Sequence, residues 1–404
     1  MEHRRKYAVF TMDVEEFTDT ECVANSGETV TRDMLDGLDE YIRLLEKHQI
    51  RATMFAVCRT AQREKERLQR YLRCGHRLAL HGLQHTPPDC MDDARFLRET
   101  REAKALLEEE FQTKVTGYRA PCFSLDKSKL NILRGLGFRY DSSRMDFAPA
   151  RHVEKLDMSD FRELLKGVFR KNGFYEFGMT CQKLFGKNYP ISGGGYVRLG
   201  HWGFILPLIG SYLRENDYYV FYLHPFELSR ERPPAMHGLK LYDRYYLNSG
   251  LHTYRLKVEA IIRMLKSCGY TFVTFDELAD ILEKKRNKMN VMGSGLLIVL
   301  AILVVSGVIV GVALLITSLA RRKEEQQAAQ PQTVPAQVAA RRTLIQQSVQ
   351  QGQAVLGYYV TFLKGDGNYV EFAVDPQQYA LLTEGITGSL TFQGTQYLGF
   401  VKAQ

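Results

Sequence analysis

His81 and His85, in the run HGLQH, stand four residues apart, a spacing that lets two imidazoles face one metal ion from a single helical turn. Pairs of this kind are also common on solvated helix faces. Their weight comes from the company they keep along the chain: TMDVEE at 11–16, YRAPCFS at 118–124, YDSS at 140–143 and FYLHP at 221–225. Amide hydrolysis needs an activated water, stabilisation of a tetrahedral oxyanion and a proton for the departing amine, and each need has a candidate here. Zinc held by two imidazoles and one carboxylate keeps coordination positions open. Asp13 and Glu15 are two apart on an extended segment, so both point to one side, and one can bind metal while the other acts as base. Arg119 can form a bidentate ion pair with Asp13, or instead close a structural salt bridge. His224 follows an apolar run and precedes proline, which places it at a strand end as the candidate general acid, with Asp141 the candidate partner for its other nitrogen. A thiol nucleophile at Cys122 would need a matched base, and none stands at recognisable spacing. Tyr196 and Trp202, in SGGGYVRLGHWG, either stack on pyranose rings or belong to the core.

The ordered series resembles the NodB-type polysaccharide deacetylases, from about Lys6 to about Leu282. The runs SGGGYVRL, FYLHPFE, TYRLKVEAIIRML and TFVTFDEL are similar to the subgroup associated with bacterial exopolysaccharide clusters. The resemblance implies a distorted (β/α) barrel with fewer than eight regular strands, and a divalent metal, Zn²⁺ before others, held by Glu15, His81 and His85. It implies Asp13 as the general base, and a backbone N–H at Cys122 that faces the oxyanion after the turn set by Pro121. The chain departs from the commonest form of the family, which has adjacent aspartates where Val14 separates Asp13 from a glutamate; the altered spacing leaves open that Asp13 binds the metal instead.

The elements that must position these groups read as an α/β fold. Short apolar strands alternate with amphipathic helices, from YAVFTMD through RATMFAVC to TFVTF, which predicts a parallel sheet covered by helices. Asp13, His81, Arg119, Asp141 and His224 each fall at the C-terminal end of a predicted strand, the face on which an α/β barrel builds its active site. The stretch from about Arg144 to Phe204 reads as an insertion covering one side. This first domain is assigned residues 1–288. Residues 291–320 carry no charge and are apolar on every helical face, which predicts one transmembrane helix. A polar linker is expected over 321–352. From 353 to 404 alternating side chains about a GDGN turn predict a small, barrel-like all-β domain, and the match from Val291 to Val401 is similar to a family of single-span bacterial envelope proteins. The junction invites the hypothesis of a gene fusion.

At 404 residues the chain is long enough for two units, and its 45% hydrophobic and 25% charged residues are those of a globular protein. The net charge of +8 lies almost entirely before residue 293. Its densest run, residues 59–77, has interspersed glutamates and reads as a solvated helix face, so no nucleic-acid partner is expected. Seven scattered cysteines without CxxC spacing read as free thiols in a reducing compartment. The first residues lack the apolar stretch of a signal peptide. The expectation is thus a single-pass inner-membrane protein, with the first domain cytoplasmic and the β domain outside. Its expected activity is hydrolysis of the N-acetyl amide of an amino sugar in a lipid- or nucleotide-linked glycan precursor or a polysaccharide. A metal-dependent hydrolase of a non-sugar amide, or an inactive membrane scaffold, are the competing readings.

Overall fold

The computed structural model describes residues 5–147, 156–347 and 354–403. Residues 148–155 of the expected insertion and 348–352 of the expected linker lie outside them. The chain divides into two compact units, 1–289 and 290–404.

The first unit is a mixed α/β curled half-barrel. Its central strand β1 (Lys6–Val14) is buried almost throughout, which is why it reads as a near-continuous apolar run. It pairs in parallel with β2 (Ala52–Ala56), which pairs with β3 (Arg77–Leu80), and the ladder continues through β4 (Gly117–Tyr118) and β5 (Tyr140–Asp141). An antiparallel excursion, β6 (Arg162–Leu165), β7 (Val168–Lys171) and β8 (Phe174–Phe177), returns β8 parallel to β5. A separate hairpin, β9 (Cys181–Leu184) and β10 (Lys187–Pro190), follows in the expected insertion. On the other side of β1 lies β11 (Tyr218–Phe221), while β12 (Tyr270–Phe272) pairs with Lys6–Ala8 on the β2 side, beside the start of β1.

Parallel neighbours need long crossovers, here mostly helices, such as Asp36–Lys47 between β1 and β2. Side-chain caps begin two of them. Asp92 accepts from the Arg95 N–H at 2.7 Å, and Asp126 from the Lys129 N–H at 2.8 Å. Alternation along β1 sorts its residues: Ala8, Phe10, Met12 and Val14 pack into the layer under the helices, whereas Tyr7 and Val9 join Phe55, Tyr140 and Phe177 in a second cluster. Asp13 has the parity of Tyr7 and Val9, so it lies on the second face, at the strand's C-terminal end.

The expected barrel is not closed by strand pairing among the described residues. The sheet path ends at β11 on one side and passes through β8 into the antiparallel excursion on the other. Side chains bridge that gap: Thr180 Oγ1 accepts from the Val220 N–H at 3.0 Å, and the Tyr218 ring meets Phe177 at 6.3 Å.

A helix spans Phe275–Ala328; its first turns bury Phe275, Leu278, Ala279 and Leu282 in the first unit. Within it, Ile302–Arg321 is apolar, wholly exposed and long enough to cross a membrane. The second unit is an antiparallel sheet, ordered β15-β14-β13-β16-β17, of β13 (Gln332–Gln347), β14 (Ala354–Lys364), β15 (Tyr369–Val374), β16 (Thr387–Gln393) and β17 (Gln396–Lys402). Its two edges meet through rings, Phe372 lying 6.3 Å from Tyr397. The expected linker is thereby corrected: helix continues to Ala328, and 332–347 form the central strand. Ala336 and Val338 are buried there despite the polar, proline-containing sequence, because both flanks are paired.

Candidate active site

Register aligns the strand ends that carry the polar motifs. Phe10 stands opposite Phe221, so Asp13 and His224 lie equally far beyond that pair, and the Asp13 N–H donates to the Leu223 carbonyl at 3.1 Å. Leu80 stands opposite Tyr118, and Tyr118 opposite Asp141, which brings His81 and Arg119 to the same edge.

Glu15, His81 and His85 place one ligand atom each within 4.8 Å of one another. Glu15 Oε2 lies 2.8 Å from His85 Nε2 and 3.4 Å from His81 Nε2. His81 Nδ1 lies 2.8 Å from the Arg119 carbonyl, an acceptor, so Nδ1 carries the proton and Nε2 is left with the lone pair that a metal requires. Two Nε2 atoms turned toward one buried carboxylate fit a divalent cation. The helical geometry expected for HGLQH is not formed. His81 follows β3 directly, and Gly82, at φ +90°, turns the chain; a Cβ there would sit 2.8 Å from the Gln84 carbonyl oxygen.

Burial pushes the Glu15 carboxyl up, but the charges of His85 and His224 and the hydrogen bond from His85 leave it well below the usual carboxylate range. For His85, burial opposes protonation, yet the Glu15 carboxylate wins and raises it.

Asp13 is buried and paired with Arg119, Nη1 to Oδ1 at 2.6 Å. The pairing is a single contact rather than the expected fork. Arg119 spends its other donors on Thr11, Nη1 to Oγ1 at 2.9 Å, and on Ser142, Nε to the carbonyl at 3.1 Å and Nη2 to Oγ at 3.0 Å, and its guanidinium lies 4.1 Å over the Phe55 ring. Cys122 and Phe123 adopt left-handed φ of 54° and 58° in the turn after Pro121. Burial and the Glu15 charge push the Cys122 thiol up to about 12, which removes it as a nucleophile near neutral pH.

The expected link between Asp141 and His224 is not made. Asp141 accepts instead from Ser143, Oγ at 2.8 Å and N–H at 2.9 Å, and Ser143 Oγ accepts from the Ala120 N–H at 2.9 Å. Asp141 thus braces the Pro121 turn. It is buried against a second acid, Glu176, whose carboxyl burial and the Asp141 charge raise well above the usual range. The partner of His224 is Glu227, three residues on: Nδ1 faces Oε2 at 3.3 Å, while Nε2 lies 3.9 Å from Glu15 Oε1. Burial would lower this imidazole, but Glu15 and Glu227 push it up to about 9.

Sequence reasoning missed Glu227, Glu176 and Ser143. The spacing HPFE was the available signal for the first, since residues three apart in one turn meet. Tyr196 is exposed, edge-on to Phe147 at 5.2 Å, in the segment whose Gly193 bridges to Tyr222, and the Tyr222 ring meets His224 at 5.7 Å. Trp202 lies farther along, beneath the Lys257 ammonium at 5.7 Å. Of the remaining histidines, His76 is structural: its Nδ1 accepts from the Ala52 N–H at 2.9 Å.

Residues 31–140 match the family model described as polysaccharide deacetylase. Over that stretch the chain is similar to polysaccharide deacetylases. Next to this deacetylase match, 149–279 match a domain of unknown function, DUF3473, and 298–401 a protein of unknown function, DUF2500. The deacetylase match contains His81, His85 and Arg119; His224 and Glu227 fall in the DUF3473 segment. Among solved structures, a protein from Mycobacterium smegmatis described as a polysaccharide deacetylase is 16% identical, covering 70% of this chain and 93% of its own, with a TM-score of 0.44. A CE4 family pseudoenzyme from Bacillus anthracis is 11% identical over 68% of this chain and 66% of its own, at 0.38. A DUF2500 structure from Klebsiella pneumoniae is 25% identical over 18% of this chain and 98% of its own, at 0.15. No curated protein matches significantly.

Proposed function

We propose that the first unit hydrolyses the N-acetyl amide of an amino sugar, releasing acetate and the free amine. The observation that carries this reading is the convergence, at one strand edge, of a buried Glu15–His81–His85 cluster with an Arg119-paired carboxylate at Asp13 and a carboxylate-paired imidazole at His224. Glu15, His81 and His85 would hold Zn²⁺, which when bound polarises a carbonyl and acidifies water. Asp13 is the base: Arg119 holds one of its oxygens, and the other accepts the proton of the attacking water. His224 returns a proton to the amine nitrogen as the C–N bond breaks. The Cys122 N–H would steady the oxyanion, and Tyr196 and Trp202 would offer rings to the sugar.

No disulfide joins any of the seven cysteines, all of which are among the described residues. With the apolar helix, they support a unit tethered at the cytoplasmic face of a bacterial inner membrane with the β unit outside, where a lipid- or nucleotide-linked glycan precursor is the substrate within reach. The deciding experiment is acetate release from a panel of N-acetylated lipid-linked, nucleotide-linked and polymeric sugars, with protein stripped of metal and reloaded with Zn²⁺. Zn²⁺-dependent acetate from a sugar supports the proposal. Hydrolysis of other amides alone would make it a non-sugar amidase, and an inert, metal-free protein a scaffold.

A further inference from the structure

Both oxygens of Glu227 are engaged. Oε2 accepts from the His224 backbone N–H at 3.1 Å and faces Nδ1, while Oε1 accepts from Arg198 Nε at 2.8 Å. A carboxylate can only accept, so Nδ1 must carry the proton, and Nε2 becomes the nitrogen that meets the substrate. Arg198 is itself fixed. Its Nη1 donates to the Ser249 carbonyl, its guanidinium lies 5.1 Å from the Tyr246 ring centroid, and both Arg198 and Glu227 are about 1% exposed. The imidazole is held sideways as well, between the edge-on Tyr222 ring and the Phe226 ring stacked at 6.0 Å. Asp141 is excluded from the task because Ser143 and Glu176 occupy it.

Resting on the deacetylase reading, we propose that Glu227 and Arg198 are positioning residues that lock the His224 ring with Nε2 toward Glu15. The DUF3473 segment thereby supplies the proton-donating half of the centre, and the deacetylase match the two histidines that join Glu15 in the metal-holding half. A buried ion pair is a poor source of stability, since desolvation cancels most of its attraction, so its value here lies in orientation.

Glu227→Gln in the full-length protein tests this, because it keeps the shape and removes the obligate acceptor. The expected result is unchanged bound Zn²⁺ and KM, with turnover of N-acetylglucosamine oligomers reduced roughly 10- to 100-fold. Turnover of 4-nitrophenyl acetate, whose leaving group departs without a proton, should fall far less. Crystals of the variant should show the His224 ring rotated or split between conformers. Equal losses on both substrates, full activity on both, or loss of Zn²⁺ would overturn the proposal. If the single variant does not fold, Arg198→Met with Glu227→Gln removes the stranded charge and should give the same split between substrates; full amide turnover would overturn it. If wild-type protein releases no acetate from any sugar, the deacetylase reading fails by itself. The ring then decides the positioning role, which a wild-type His224 conformer in Glu227→Gln would refute.

Discussion

Glu15 sits where three imidazoles point, so its loss and that of its neighbours should read differently. His81→Ala and His85→Ala are each expected to abolish stoichiometric metal, measured by elemental analysis, while circular dichroism stays native, because they sit at a strand end rather than in the packed layers. Glu15→Ala should weaken metal binding more than Asp13→Asn, and the reverse order would exchange the two roles. Glu176 offers a separate test through stability. Its carboxyl is raised by burial and by Asp141. Below the unfolded-state value, about 4.3, both states hold the proton. As pH rises the unfolded chain releases it first, so stability is lost up to the folded-state value. Glu176→Gln should flatten the fall in Tm that calorimetry shows as pH rises above about 4.3; a variant curve parallel to wild type would show that Glu176 does not titrate there.

At the scale of elements, the segment after the β9–β10 hairpin depends on Gly193. Its φ is +120°, and a Cβ there would lie 2.0 Å from the Tyr222 carbonyl oxygen, two residues before His224. Gly193→Ala should cost at least about 2 kcal/mol in denaturant unfolding and lower turnover, since the chain that carries the acid must shift. A stable, fully active variant would show that this close approach is dispensable. The strand ends were legible in sequence because parallel strands are apolar runs that stop at a polar residue, as β1 stops near Asp13 and β3 at His81. Partner choice was not legible. Whether Asp141 or Glu227 serves His224 depends on which side of the edge each carboxylate faces, and Asp141 turned to Ser143 because the β5–β8 pairing set Glu176 beside it. Strand β13 was missed because glutamine, arginine and proline dilute its alternation, and the pairing that overrides them comes from strands later in the chain.

At the scale of the molecule, two units and one apolar helix make topology testable. Reporters fused after Leu282 should be active only in the cytoplasm and reporters after Gln404 only outside, and protease added to spheroplasts should remove the tail and spare the first unit. Degradation of the first unit would move the substrate to an extracellular polymer.

The short Glu15–His85 contact would also govern how a metal ion enters the proposed centre. A cation can take His85 Nε2 only after any proton there has left, and the carboxylate that will share the cation is what makes that proton hard to remove. Filling of the proposed centre would therefore be an ion exchange with the surrounding water. Calorimetric heats of Zn²⁺ uptake should differ between buffers in proportion to their ionisation enthalpies, and apparent affinity should go on rising with alkalinity beyond the range of an ordinary histidine, about 6.5. Identical heats in every buffer would mean that the imidazole is already bare when the ion arrives.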